Sequence, residues 1–169
     1  KKIANEDLSF NEGDFVVYPN HGVGQVVGLE TQEIAGSDVR LFVVEFEEER
    51  MKVSVPVMNA EKAGLRAISS KDMLASAFKK LEAKPRVRKT MWSRRAQEYE
   101  TRIRSGDPES IAEVVRELFR KPGQSEQSYS ERQIYENALE RLAREVAAVE
   151  KIDLSKAEEK IESVMKKAA

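Results

Sequence analysis

One histidine, one tryptophan and no cysteine in 169 residues restrict the chemistry open to this chain. His21 lies in the turn Pro19-Asn20-His21-Gly22, where a polar turn role is expected rather than proton transfer. A lone histidine without thiolates cannot build the usual zinc centre, and disulfides and cysteine nucleophiles are excluded. No serine has a histidine partner in a plausible motif, which removes triad chemistry. Gly22-Val23-Gly24 has the opening spacing of a dinucleotide-binding turn. However, Val27 stands where the third glycine belongs, and a strand rather than a helix is expected to follow. These glycines more plausibly let a strand bend at a barrel corner. Glu47-Glu48-Glu49 reads as a solvated acidic turn, because consecutive carboxylates do not converge easily on one cation. The expectation is a protein without cofactor or metal, and not an enzyme.

The residues with a positive chemical signal surround the tryptophan. Residues 84–95 read Lys-Pro-Arg-Val-Arg-Lys-Thr-Met-Trp-Ser-Arg-Arg, placing Arg86, Arg88, Lys89, Arg94 and Arg95 about Trp92. At about 100° per residue, a helix puts Arg88, Trp92, Arg95, Tyr99 and Arg102 on one face. Cations that neutralise phosphates, beside a ring that stacks on a base or wedges a step, suit a nucleic-acid surface. The spacing of Trp92, Ala96, Tyr99 and Ile103 equally suits a buried stripe. Arginine one turn to either side argues against full burial of the indole, since isolated buried charge is costly. The expectation is an exposed Trp92 near the helix start, with Tyr99 and Ile103 turned inward.

The elements that must position these residues change character near residue 68. Before it, apolar residues alternate with period two between turn signals. Strands are expected over 15–18, 23–34, 39–46 and 51–56, with a hairpin loop at Ala35-Gly36-Ser37-Asp38. Pro56 cannot donate to a ladder, so its strand ends there or lies at an edge. After residue 68 the period is helical. Five helices are expected, the first capped by Ser69 or Ser70 with Met73, Leu74, Ala77, Phe78 and Leu81 inward. The second runs over 88–104, and the third opens at Asp107-Pro108. Capping boxes at Ser130 and Ser155 open the last two. The fold class is α+β: a small antiparallel β-barrel of SH3 or Tudor type over 1–68, then an all-α bundle over 69–169.

Net charge is −1, but its distribution is uneven. Residues 1–70 carry 7 basic against 12 acidic side chains, residues 71–104 carry 11 against 4, and residues 105–169 carry 11 against 14. The basic middle segment is the expected nucleic-acid contact. No apolar run reaches the roughly 20 residues that span a bilayer, and residues 1–10 lack a secretory apolar stretch. A cytoplasmic location without membrane contact is expected.

Tyr18-Pro19-Asn20-His21-Gly22-Val23-Gly24 and Val53-Ser54-Val55-Pro56-Val57 resemble the N-terminal domain of CarD/CdnL bacterial transcription regulators. That domain is similar to the polymerase-interacting module of transcription-repair coupling factor. Met91-Trp92-Ser93-Arg94-Arg95, Ser105-Gly106-Asp107 and the run from Ile111 to Leu118 resemble the family's helical domain, and Ser130-Glu131-Arg132 fits its later helix. The similarity spans essentially the whole chain, in order, and best suits the stand-alone CdnL-like form. The resemblance implies a barrel docked on the RNA polymerase β subunit through an exposed strand near Val44, Lys52, Ser54 and Pro56. Some relatives carry a basic residue where Ser54 stands. It implies a helical domain lying on promoter duplex DNA at the upstream edge of the bubble. There Trp92 would wedge the minor groove, with Arg94 and Arg95 on phosphates, and the open promoter complex would be stabilised. Sequence preference would be weak, the bound form monomeric, and the protein would sit on the nucleoid through polymerase. Two other readings fit the elements alone: a Tudor-like peptide-binding scaffold, and an RNA-binding translation factor.

Overall fold

The computed structural model describes residues 10–46, 50–86 and 89–168; the acidic turn at 47–49 and Arg88 lie outside the described residues. The chain divides into two compact units, Lys1–Ile68 and Ser69–Ala169. The first is built on β1 (Phe15–Tyr18), β2 (Gly22–Ile34), β3 (Ser37–Phe46), β4 (Met51–Pro56) and β5 (Arg66–Ala67), with a single 3-10 turn at Val57–Asn59. These strands form one antiparallel sheet in the order β4-β3-β2-β1-β5. The antiparallel sheet followed by helices is the expected α+β arrangement. The described pairings leave that sheet open, with β4 and the two-residue β5 at its ends, so barrel closure is not among them.

Local chemistry explains the sheet's geometry. The expected four-residue hairpin loop contracts to Ala35-Gly36, because Ser37 pairs with Ile34 and Asp38 with Glu33. Both turn residues have positive φ, 52° and 81°, as a two-residue turn matched to strand twist requires. Further along the same pair of strands the register slips between Val26 and Gly28, so β2 carries a bulge there. Gly24 answers a different need from bending. A Cβ there would lie 2.8 Å from two ring carbons of Phe46 and from a methyl of Val44. The missing side chain is what lets the core close over β2. That core holds Val16, Val26, Phe42, Val44, Phe46 and Val55, with Phe10 edge-on to Phe42 at 5.6 Å. His21 rests between the rings of Tyr18 and Phe46.

The second unit contains α1 (Lys71–Glu82), α2 (Trp92–Arg104), α3 (Pro108–Leu118), α4 (Tyr129–Glu150) and α5 (Leu154–Lys167). Helix α3 is buried along Ile111, Ala112, Val114, Val115 and Leu118, and α1, α2 and α4 pack on it. Ser70 caps α1 by accepting from the Met73 N–H. Ser69 instead donates its N–H and its hydroxyl to the buried carboxylate of Glu145, at 2.7 and 2.6 Å. A buried carboxylate is tolerable only when hydrogen-bonded in this way. Met73, expected inward, is exposed, because the buried stripe of α1 is Leu74, Ala77 and Leu81.

Three helix starts differ from expectation. Helix α2 begins at Trp92, not at residue 88. Lys89, Thr90 and Met91 are not helical, and Met91 is the N-cap. Helix α4 is capped by Ser128, whose hydroxyl accepts from the Glu131 N–H, so Ser130 lies inside the first turn. Helix α5 starts after Asp153, with Ser155 already helical.

Candidate nucleic-acid interface

The first residue of helix α2 is the tryptophan. Its N-cap, Met91, supplies no side-chain hydrogen bond, and the first turn contains no acidic residue. The positive end of the helix dipole is therefore not offset locally. Arg86 and Lys89 are exposed on the preceding coil, and Arg94 is exposed on the first turn. Three of the expected cations are thus exposed on or just before this helix end. Of the face expected over Arg88, Trp92, Arg95, Tyr99 and Arg102, the helix contains the last four, and Arg88 lies outside the described residues.

The expectation of an exposed indole is modified by the packing. Trp92 is half-buried and lies against the rim of the helical core, while Tyr99 and Ile103 are buried as expected. Both readings of the spacing hold in part, because the first residue of a helix at the edge of a bundle has core on one side only. The indole N–H donates to the hydroxyl of Ser130 on α4 at 3.3 Å. The Arg95 guanidinium carbon lies 5.4 Å from the Trp92 ring and 5.6 Å from the Tyr99 ring. The two rings are 6.3 Å apart, and Arg95 also donates to the Tyr99 hydroxyl at 3.1 Å. Burial pushes the Tyr99 phenol above its usual range, partly countered by that arginine. Arg95 is therefore engaged in the stack, whereas Arg94 reaches solvent.

Helix α2 is tied to α3 through Arg102, in its last turn. Arg102 lies 3.5 Å from Glu113 and 3.9 Å from the buried Glu117. Sequence reasoning missed Ser130, which it took for a cap, and the exposed Tyr129 beside it. Nothing in the local pattern of α4 signals a partner 38 residues away.

The second expected surface belongs to the sheet unit. Lys52 and Ser54 are exposed at alternate positions of β4, and Pro56, the last residue of that strand, is half-buried. Val44 is corrected: it has no exposed surface and packs in the core. As an inward position of β3, paired with both β2 and β4, it has no side chain to offer a partner.

Residues 10–69 are similar to the CarD-like/TRCF RID domain, and residues 67–162 to the CarD C-terminal domain. YdeB of Bacillus subtilis (strain 168), which carries a provisional assignment as a transcription factor, is 26% identical over 143 residues, covering 85% of this chain and 94% of YdeB. The N-terminal domain of Myxococcus xanthus CarD is 35% identical over 36% of this chain and 80% of that one, with a TM-score of 0.31. The structure titled CdnLNt, from the same organism, is 40% identical over 37% of this chain and 89% of its own, with a TM-score of 0.32.

Proposed function

The chain belongs to the CarD family, and from that premise we propose that it is a transcription regulator that binds RNA polymerase through its sheet unit and promoter DNA through its helical unit. The observation that carries the DNA half is the half-buried Trp92 at the uncapped start of α2, with Arg86, Lys89 and Arg94 exposed around it. The cations neutralise phosphates without reading sequence, and the ring wedges a minor-groove step at the upstream edge of the bubble. The minor groove offers a degenerate pattern, so promoter choice comes through polymerase.

The mechanism is a population shift. A ligand favours open promoter DNA only by binding it more tightly than closed DNA. A ring enters most readily where stacking is already broken, so its contact energy counts mainly in the open state. The partner of the sheet unit is the polymerase β subunit, met along β4 by Lys52 and Ser54 and at its end by Pro56. The protein acts as a monomer and resides on the nucleoid with polymerase. The test is the half-life of open complexes formed with wild-type protein and with Trp92→Ala. Equal half-lives with a folded variant would end this reading.

A further inference from the structure

The indole of Trp92 is held by a residue of α4 and by an arginine of its own helix. On one side its N–H donates to the Ser130 hydroxyl across 38 residues of sequence. That serine is not the cap of α4, a task done by Ser128. On the other side the Arg95 guanidinium lies near both the Trp92 and Tyr99 rings and donates to the Tyr99 hydroxyl. Tyr99 is only 4% exposed and belongs to the helical core. The contacts therefore run without a break from a core phenol, through a cation, to the indole, and on to a second helix.

We propose that Ser130 is a positioning residue for Trp92: with Arg95 it fixes the indole's orientation before nucleic acid arrives. The proposal rests on the reading of Trp92 as the DNA contact. A partly exposed indole at a helix start without a cap has two free torsions and would otherwise sample several rotamers. Fixing it in the free protein removes an ordering cost from binding. Arg95 then contributes mainly by stacking, and Arg94 is the first-turn arginine left for a phosphate. The committed indole N–H also leaves the ring to act by its face and edge rather than by hydrogen-bonding a base, in keeping with a contact that tolerates many sequences.

The chain's single tryptophan makes the test direct, since intrinsic fluorescence reports that indole alone. Full-length Ser130→Ala removes the acceptor, and Ser130→Thr keeps a hydroxyl. Time-resolved fluorescence anisotropy of the free proteins is compared with affinity for a duplex carrying an unpaired A·T-rich bubble. Ser130→Ala is expected to increase the amplitude of fast indole motion and to weaken binding about three- to tenfold, with unchanged thermal unfolding. Ser130→Thr is expected to restore both, which a merely structural role would not require. Unchanged anisotropy in Ser130→Ala overturns the positioning role, as does a freed indole with full affinity. Failure of the underlying DNA reading looks different: Trp92→Ala would then bind the bubble as tightly as wild type.

Discussion

Replacing Trp92 by alanine separates a structural from a functional tryptophan, and the packing sets what each would cost. Truncating a fully buried tryptophan costs roughly 3–5 kcal/mol. Here the indole is half-buried at the rim of the core, so about 1–2 kcal/mol is expected from the lost packing on Arg95 and Tyr99. For a unit of this size that lowers Tm by about 4–16 °C, which leaves it folded at 25 °C. The functional term is larger. If the ring unstacks a base step, losing it removes on the order of a few kcal/mol of preference for opened DNA. Part of that would surface as one to two decades in open-complex half-life, at about 1.4 kcal/mol per decade. Trp92→Phe retains a ring against Arg95 but not the N–H, and should fall between wild type and alanine in both assays. The experiment pairs circular-dichroism melting with filter-binding decay of open complexes on one promoter at 25 °C. A variant that stays folded yet gives the wild-type half-life refutes the wedge. One that melts tens of degrees lower refutes the rim placement.

Other consequences follow from particular residues. Three exposed cations, Arg86, Lys89 and Arg94, should give duplex binding a slope of log K against log salt of about −3. Arg94→Ala should make that slope shallower by about one unit, while Arg95→Ala should mainly loosen the Trp92 stack; equal slope changes for the two would contradict the division of labour. Ser54→Glu, on the exposed face of the edge strand β4, should weaken polymerase pull-down without lowering Tm by more than a few degrees. Undiminished capture would move the docking surface elsewhere. Burial, reinforced by Glu140 and Glu162, raises the Glu158 carboxyl above the usual carboxylate range. A raised folded-state value means the carboxyl favours folding while protonated and loses that contribution as pH rises through it. Glu158→Gln should therefore raise Tm at pH 7 and lose its advantage near pH 4, which melting across that range would show.

The outline of both units was legible because it rests on local signals. Period-two alternation in 51–56 and the Asp107-Pro108 start of α3 each follow from short-range chemistry, and the structure has them where the pattern put them. The positions that escaped depend on chemistry between distant segments. Gly24 reads in sequence as freedom to bend, but its role is set by Phe46 and Val44, which occupy the space of its missing side chain. Ser69 and Ser70 are equivalent cap candidates until Glu145, 76 residues later, takes one of them. Val44 is expected at the docking surface only from the family resemblance, yet β3 is paired on both sides and this residue's side is the core.

The candidate site shows the same division at closer range. Composition alone isolates Trp92 among cations, and helical periodicity alone cannot say whether the ring is core or surface. The question is decided by where α2 begins. Had the helix started at residue 88, Trp92 would lie more than a turn inside it, flanked by Arg88 and Arg95 on one face. Starting at Trp92, the helix leaves the ring at its uncapped end, with Arg95 drawn inward to Tyr99 and Arg94 turned out. A ring so placed has one edge bonded to Ser130 and part of its surface still open to solvent. For a wedge this arrangement is useful: enough of the indole is packed to fix its direction, and enough is exposed to enter a base step. If the ring is the wedge, as proposed, Arg86 and Lys89 before α2 would supply attraction without constraining it, so that affinity and the preference for open DNA would rest on different residues and could be altered separately.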